Sequence, residues 1–295
     1  MRSFLAALFL GAFLTPFASA VQGDEARPAI DQYNLGRDGL ALQGYDPVAY
    51  YEVGGGSPTK GDKQFSAEHR GVTYRFASDA NRQLFLAAPA RFEPAYGGWC
   101  AYAMASGDKT DIDPKSFLIE EGRLLVFYNG FFGNTRKSWG KEQGPVELRP
   151  KADQAWREFS GEAVPRSLRE FDLQQGLALK GIDPVSIATG TPVAGLPRIA
   201  VVERGVTYYF ATEANAAAFR ANPAAHEPAF GGWCARAMAE GKKVAVDPRF
   251  FVAESEQLLL FAGGNARQQW IDGGEALAAR AEAAWTKLNA PVGQG

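Results

Sequence analysis

The sequence has few of the side chains on which most enzymes and metal sites depend. It contains two cysteines, two histidines and three methionines among 295 residues. It also lacks a phosphate-binding glycine loop, a dinucleotide-binding fingerprint, a Ser-His-Asp set and a paired-carboxylate motif. The two histidines, His69 and His226, fall at different positions of the internal repeat described below. Conventional acid–base catalysis is therefore not expected.

Neither the charge nor the apolar pattern points to nucleic acid or to a membrane span. The formal net charge is −2, so the basic footprint of a nucleic-acid-binding protein is missing. One long apolar run, Phe4–Phe17, follows Arg2 and precedes the small residues Ala18-Ser19-Ala20. This pattern predicts a signal peptide at residues 1–20, and hence an exported protein that is periplasmic or secreted. We expect residues 21–34 to form a loose N-terminal segment.

The most informative feature is an internal duplication. The stretch Pro94–Ala105 (PAYGGWCAYAMA) recurs as Pro228–Ala239 (PAFGGWCARAMA). Other stretches match in the same order: Gly39–Val48 with Gly176–Val185, Arg70–Tyr74 with Arg204–Tyr208, Asp113-Pro114 with Asp247-Pro248, Trp139 with Trp270, and Trp156 with Trp285. The pattern predicts two tandem homologous domains, each with its own core. Their predicted bounds are 35–159 and 171–289, with a linker at 160–170 and a C-terminal tail at 290–295.

The local patterns predict antiparallel hairpins separated by helices. Apolar residues at period 2 predict a strand at Val72–Ala77, which pairs through a turn with Gln64–Glu68. Ser78 and Thr212 are predicted helix N-caps. Further predictions are a β-prone run at Val48–Val53, a second hairpin from Phe117–Ile119 and Leu124–Tyr128, and closing helices at Ala152–Phe159 and Glu275–Leu288. We therefore expect an α+β fold in which each domain is a small antiparallel sheet packed with short helices.

Five motifs of the first copy occur in an order that resembles a known family. They are Gly44–Tyr50 (GYDPVAY), Gly71-x-x-Tyr74-x-Phe76, Phe85-x-x-x-Pro89, Tyr96–Ala101 (YGGWCA) and Asp113-Pro114. This order is similar to that of the bacterial exported YHS-domain proteins, and the second copy resembles it too. The resemblance covers nearly the whole chain after the leader. What it implies about function is limited to the wider relatives of the family, which include small metal-handling modules.

The sequence departs from those metal-handling relatives at two positions in each copy. The relatives carry cysteines after the Tyr-x-Phe strand and again one helical turn later. Here these positions hold Ala77 and Asn81 in the first copy, and Ala211 and Asn215 in the second. The resemblance therefore implies that this metal arrangement is lost, and that any metal site must be built elsewhere.

The candidate metal site lies in the Gly-Gly-Trp-Cys segments. The glycines predict a tight turn and the following alanines a helix, so Cys100 and Met104 lie one turn apart on one face, as do Cys234 and Met238. A thiolate at a helix start and a thioether form a soft donor pair that favours copper(I). His226, eight residues before Cys234, is the candidate third ligand in the second copy.

Other interpretations of the same residues stay open. Cysteine and methionine are also common core residues. In an oxidising compartment Cys100 and Cys234 could instead form a disulfide between the domains, or act as reactive thiols. Asp46 and Asp183, each followed by proline, are predicted to form Asx turns that start the following strand. The second copy has fewer tyrosines than the first, for example Phe230 in place of Tyr96, so any pocket for polar recognition is expected in the first copy.

The sequence thus supports three hypotheses for function. The leading one is an exported binding protein that holds copper at its Cys–Met pairs. The alternatives are a thiol/disulfide redox protein, and a protein-interaction module in which cysteine and methionine are purely structural. The expected partners are a metal ion or an unknown protein, without nucleic acid. The chain is expected to be a monomer with internal pseudo-symmetry or a weak oligomer.

Overall fold

The computed structural model describes residues 30–36, 39–165, 167–254 and 257–289. The predicted signal peptide (1–20), the tail (290–295) and most of the predicted loose segment (21–34) lie outside these ranges. The described residues confirm the α+β class, because short helices pack around several small antiparallel sheets. None of the helices in these ranges is long and apolar enough to cross a membrane.

The bounds of the elements are as follows. The helices are α1 (Asp79–Ala87), α2 (Pro89–Phe92), α3 (Ala101–Met104), α4 (Thr135–Lys141), α5 (Arg149–Ser160), α6 (Pro184–Ala188), α7 (Glu213–Ala221), α8 (Ala235–Met238) and α9 (Gly264–Leu288). The strands are β1 (Asp62–His69), β2 (Val72–Phe76), β3 (Asp113–Glu120), β4 (Arg123–Phe127), β5 (Asn129–Gly130), β6 (Gly133–Asn134), β7 (Leu173–Gln174), β8 (Leu177–Ala178), β9 (Leu196–Glu203), β10 (Val206–Phe210), β11 (Phe251–Glu254) and β12 (Gln257–Leu260).

Both hairpins predicted in the first half are present. β1 pairs with β2 in an antiparallel register that joins His69 to Val72 across the turn. β3 pairs with β4 in the same way, with Glu120 opposite Arg123. In β2 the burial alternates residue by residue, which is the period-2 pattern read from the sequence. One face of this hairpin therefore packs on the core of the first half.

The predicted helix caps are also confirmed. The Ser78 hydroxyl accepts a hydrogen bond from the Asn81 N–H at the start of α1, and the Thr212 hydroxyl does the same for Asn215 at the start of α7. Pro89 then opens the short helix α2, because a proline needs no backbone donor in a first helical turn. The same order of hairpin, capped helix and proline turn therefore occurs in each half.

Two element predictions are wrong. Val48–Val53 forms turns and a 3-10 segment (Glu52–Gly54) rather than a strand, because the Asp46 carboxylate accepts the N–H groups of Val48 and Ala49.

The closing helix of the second half starts at Gly264 instead of Glu275. It bends at Gly274, whose φ of 50° and ψ of −141° are not helical. The glycine allows this break without ending the helix.

The two halves share part of their hydrophobic core. Ala200 and Tyr209 of the second half belong to the same core cluster as Tyr74, Phe85 and Leu124 of the first half. Helix α1 lies against strand β9. The expectation of one separate core for each copy is therefore wrong at this face, although the division of the chain into two homologous domains stays a prediction.

The predicted loose N-terminal segment and the predicted linker are both packed where the structure describes them. The Asn34 N–H donates to the Gly97 carbonyl, and the Trp99 indole donates to the Gln32 carbonyl, so residues 30–34 are fixed to the first half. In the predicted linker, Leu168 is buried in a core cluster of the second half and its N–H donates to Glu121. These backbone and indole hydrogen bonds, together with the burial of Leu168, hold both segments in place.

Candidate functional site

The Gly-Gly-Trp-Cys segment forms a tight left-handed turn in each half. Tyr96, Gly97 and Gly98 all have positive φ, of 56°, 58° and 85°. A Cβ on Gly97 would lie 2.6 Å from the Trp156 ring, and a Cβ on Gly231 would lie 2.6 Å from the Trp285 ring. Glycine is therefore required here both by the backbone conformation and by the close approach of a tryptophan from the closing helix.

The cysteine and methionine of each pair are placed as the spacing predicts, but on a short helix. Cys100 directly precedes α3, and the Met104 N–H donates to the Cys100 carbonyl at 3.0 Å. Cys234 and Met238 repeat this at 2.9 Å on α8. Each helix has only four residues, so the dipole that was expected to favour a thiolate is small.

The four sulfur-bearing side chains of the two Cys–Met pairs are in the hydrophobic core. Cys100, Met104 and Met238 are 0% exposed and Cys234 is 1% exposed. Both cysteines are free thiols. The Cys100 sulfur lies 3.3 Å from the Thr135 hydroxyl and accepts the Tyr128 N–H at 3.4 Å. These contacts satisfy the thiol with protein groups.

The structure does not bring the five predicted metal ligands together. Cys100 and Met104 belong to different core clusters, whereas Cys234 and Met238 share one. His226 stacks on Phe219, which packs in a different cluster from Cys234. No group of three or more His, Cys, Asp or Glu side chains in the described ranges is arranged to hold a metal ion. Copper at the Cys–Met pairs stays a prediction.

The aspartates of the Asp-Pro motifs have a larger role than the predicted turn. Asp46 is fully buried, and its Oδ2 accepts the Ala77 N–H at 2.8 Å and the Asn81 amide at 2.6 Å. These are the positions at which the resembling metal-handling domains carry cysteines. The second half repeats the arrangement with Asp183, Ala211 and Asn215. Asp183 also caps α6, so the expectation that these turns start strands is wrong.

Two cavities lie at matching places beside the glycine turns. The cavity of the first half has a volume of about 430 Å³ and that of the second half about 570 Å³. Several lining residues are identical in the two copies: Arg70 and Arg204, Glu93 and Glu227, Pro94 and Pro228, Gly97 and Gly231, Trp156 and Trp285. The cavities are therefore two versions of one site.

In the cavity of the first half, a neighbouring segment of the chain already binds some of the hydrogen-bond donors. Residues 161–165 supply one of its walls, through Gly161, Glu162, Ala163 and Pro165. The Glu162 carboxylate accepts a hydrogen bond from the Trp156 indole at 2.6 Å and another from the Tyr33 hydroxyl at 3.0 Å. Burial raises the pKa of the nearby Glu93, and Arg70 opposes this shift. The Glu162 carboxylate, from a neighbouring segment, thus already accepts the hydrogen bond of the Trp156 indole.

The cavity of the second half is larger, and no carboxylate among the described residues accepts a hydrogen bond from its tryptophan. Phe171 and Phe230 stand where the first half has Tyr33 and Tyr96, and the lining contains no counterpart of Glu162. The Trp285 indole N–H has no hydrogen-bond partner among the residues that the structure describes. Arg204 donates to Glu227.

The second cavity has three further charged groups in its lining, Asp172, Lys180 and Glu282. Burial raises the pKa of Asp172, an effect that Lys180 opposes. The expected polar pocket of the first copy is therefore present but internally paired, while the larger cavity lies in the second copy.

Sequence reasoning missed this pair of cavities. Their walls come from segments far apart in the chain, so no spacing rule brings Arg204, Glu227 and Trp285 together. One signal was available, because each of these residues is retained at the matching position of the first copy, as Arg70, Glu93 and Trp156. Polar residues that a duplication keeps next to a glycine turn are candidates for a site.

Comparison with protein-family models, with curated proteins and with solved structures gives no match to this chain. The similarity to YHS-domain proteins therefore stays a prediction from the motifs.

Proposed function

We propose that this protein is a binding protein, and that the second-half cavity takes a small ligand with a carboxylate on an apolar, partly aromatic body. The observation that carries the proposal is the Glu162 carboxylate in the first half. It accepts the Trp156 indole N–H, whereas the matching indole N–H of Trp285 has no acceptor among the described residues. In the first half, a carboxylate of the chain itself thus accepts the indole hydrogen bond. In the second half, a ligand carboxylate can accept it.

The size and walls of the cavity support a small organic ligand. A volume of about 570 Å³ is within the range of small-molecule sites. The rings of Phe171 and Trp285 meet edge to face with centroids 5.3 Å apart, and Phe230 adds a third aromatic wall. Such walls bind an aromatic or aliphatic body through its buried apolar area.

The charged groups around the cavity would orient a bound ligand. Arg204 and Lys180 bring positive charge to the lining, and the Glu227 charge is balanced by Arg204. Asp172 and Glu282 in the lining oppose an anionic ligand, and the positive charge of Lys180 partly offsets the charge of Asp172. An indole N–H with cations beside it favours a carboxylate over a phosphate, because it offers one donor rather than a cluster of them.

The test uses a matched pair of probes, 3-phenylpropionate and its uncharged analogue 3-phenylpropanol, titrated calorimetrically into the full chain. The carboxylate should bind more tightly than the alcohol. Trp285→Phe keeps the aromatic wall but removes the N–H, so it should weaken carboxylate binding by roughly tenfold and leave the alcohol unaffected. Trp156→Phe is the matched control in the first half, and should change neither affinity.

A second variant tests the comparison between the halves. Glu162→Ala frees the Trp156 indole and the Tyr33 hydroxyl, so it should open a second site and raise the stoichiometry from one ligand to two. If neither probe binds, or if the two probes bind equally in wild type and Trp285→Phe, the proposal is wrong.

The soft-metal hypothesis stays a second proposal, because Cys234 and Met238 share one core cluster and both thiols are free. Their burial opposes it, since a metal would need the core to open. Copper(I) titration against a colorimetric chelator should give one or two ions per chain in the wild type and none in Cys100→Ser/Cys234→Ser. A thiol count separates the redox alternative, for which the two thiols must react fast in the folded protein.

A further inference from the structure

A short hairpin of the first half exposes two adjacent phenylalanines. β5 and β6 pair through Asn129 and Asn134, and the tip between them is Phe131-Phe132. Their side chains are 95% and 90% exposed, whereas the other exposed large apolar side chains of the described residues reach at most 48%. The two rings meet edge to face at 5.3 Å. An exposed apolar pair of this kind marks an interaction site.

The duplication does not account for this hairpin. Between Phe127 and Asn134 the first half has six residues, while the matching interval of the second half, between Phe261 and Asn265, has three. Those three residues are Ala262-Gly263-Gly264, without any large apolar side chain. The phenylalanines are therefore an addition to the first half, and the fold shared by the two halves does not need them.

The hairpin is held in a defined conformation. The Tyr128 hydroxyl accepts the Phe132 N–H at 3.3 Å, and the Thr135 N–H donates to the Tyr128 carbonyl at 3.0 Å. The Asn129 amide donates to Asp113 at 3.0 Å. The rings are thus presented on a supported tip instead of being buried against the body of the protein.

Four cations lie on the elements next to the hairpin. Lys115 is on β3, which contacts β5, and Arg136, Lys137 and Lys141 are on α4, which follows β6 directly. All four are exposed, and none forms an ion pair within the described ranges. The Arg136 guanidinium donates only to the Phe117 carbonyl among the described residues. The nearby acids are engaged, Asp113 with Asn129 and Glu142 with the Tyr102 hydroxyl.

We propose that this hairpin is a membrane-surface anchor, which inserts Phe131 and Phe132 into the interface of an anionic lipid bilayer. A convex tip with two adjacent rings can enter the headgroup region, and unpaired lysine and arginine around it attract anionic lipids. The charge around the tip selects the anionic bilayer as the occupant. This surface is independent of the second-half cavity.

The experiment is flotation of the full chain with phosphatidylcholine vesicles, with and without phosphatidylglycerol. The wild type should bind only the anionic vesicles, and added salt should weaken the binding. Phe131→Ser/Phe132→Ser should reduce the partition coefficient by at least roughly tenfold, because it removes most of the inserted apolar area. Ile271→Ser, an exposed apolar residue of the second half, is the matched control and should bind as the wild type does.

Two further measurements make the outcome decisive. Lys137→Glu/Lys141→Glu should weaken binding to anionic vesicles, and a Phe132→Trp reporter should shift its emission to the blue when they are added. The proposal is overturned if the wild type binds neither vesicle type, or if the double serine variant binds anionic vesicles as well as the wild type does. It is also overturned if the phenylalanines drive only concentration-dependent self-association of the chain in sedimentation without lipid.

Discussion

Asp46 and Asp183 show how a single buried carboxylate organises each half. The Asp46 oxygens accept four hydrogen bonds, from the N–H groups of Val48, Ala49 and Ala77 and from the Asn81 amide. These bonds join the turn after the first glycine motif to the end of β2 and to α1. The same carboxylate explains why the β-prone run after it forms no strand.

Replacing this carboxylate should be costly. Asp46→Asn puts an NH2 group where an oxygen accepts two donors, so at least one buried donor loses its partner. We expect a loss of about 3 kcal/mol in the free energy of unfolding, measured by urea denaturation. Asp183→Asn should behave alike, while Asp108→Asn, at an exposed position, should change stability by less than about 0.5 kcal/mol. Equal stability of all three variants would contradict this role.

His226 should make the folded protein sensitive to acid. Its Nδ1 is buried without a hydrogen-bond partner among the residues that the structure describes, and burial lowers the pKa of the ring below its usual value of 6.5, although Asp183 opposes the shift. The unfolded chain therefore binds a proton more readily, and stability falls as the pH drops below 6.5 towards the lowered folded pKa.

The first half supplies the matched replacement for this histidine. Phe92 occupies the equivalent position there, so His226→Phe should keep the packing on Phe219 and remove the titration. Urea denaturation at about pH 7.5 and about pH 5.5 should show a smaller loss of stability on acidification in the variant than in the wild type. An unchanged loss would assign the acid sensitivity to other groups.

At the scale of elements, the strands β2 and β10 differ in one residue, and their burial differs as well. Their sequences are Val-Thr-Tyr-Arg-Phe and Val-Thr-Tyr-Tyr-Phe, so Arg75 corresponds to Tyr209. β2 is buried on alternate residues, whereas all five residues of β10 are buried. Tyr209 accepts a hydrogen bond from the Arg91 guanidinium, which lies 5.2 Å from the tyrosine ring. The second face of β10 is thus covered by the first half.

Exchanging these residues between the copies should have unequal effects. Tyr209→Arg places a second guanidinium against the buried Arg91, so we expect a loss of about 3–5 kcal/mol in stability. Arg75→Tyr, at a partly exposed position, should stay within about 0.5 kcal/mol of the wild type. Urea denaturation followed by circular dichroism measures both, and similar losses would show that Tyr209 does not hold the halves together.

The same comparison shows what the sequence can predict. The hairpins and the capped helices follow from local signals, namely the alternation in β2 and the hydroxyls of Ser78 and Thr212. Burial on both faces of β10 could not be predicted locally, because it depends on a helix from the other half. The cavity escaped prediction for the same reason, since Trp285 reaches the glycine turn only through the fold, and the Cys–Met spacing gave no information on burial.

At the scale of the whole molecule, the halves contact each other through non-equivalent faces. Helix α1 of the first half packs on β9, where Ala200 and Val202 contribute to the shared apolar surface. The positions of the first half that match these two hold Ser66 and Glu68. A head-to-tail contact of this kind would bind further copies of the chain if the matching face of the first half were apolar. The polar residues Ser66 and Glu68 on that face oppose such an extension, and the expected monomer or weak oligomer stays a prediction.

At one contact between the halves, backbone meets backbone. Gly122 and Gly176 both have positive φ, of 81° and 80°, and a Cβ on Gly122 would lie 2.6 Å from the Gly176 Cα. A backbone atom cannot move aside as a flexible side chain can, so any larger residue must push the halves apart. Gly107 provides the matched control, since its φ is 79° and a Cβ there would meet nothing within 4 Å.

We therefore expect Gly107→Ala to cost about 1 kcal/mol, the strain of an alanine at positive φ. Gly122→Ala should cost about 2 kcal/mol more, because it adds a clash between the halves. Tryptophan fluorescence and circular dichroism should report one urea transition for the wild type and Gly107→Ala, but separated transitions for Gly122→Ala if its halves no longer unfold together. Equal losses in the two variants would mean that the contact is not tight, and that the shared core alone couples the two halves.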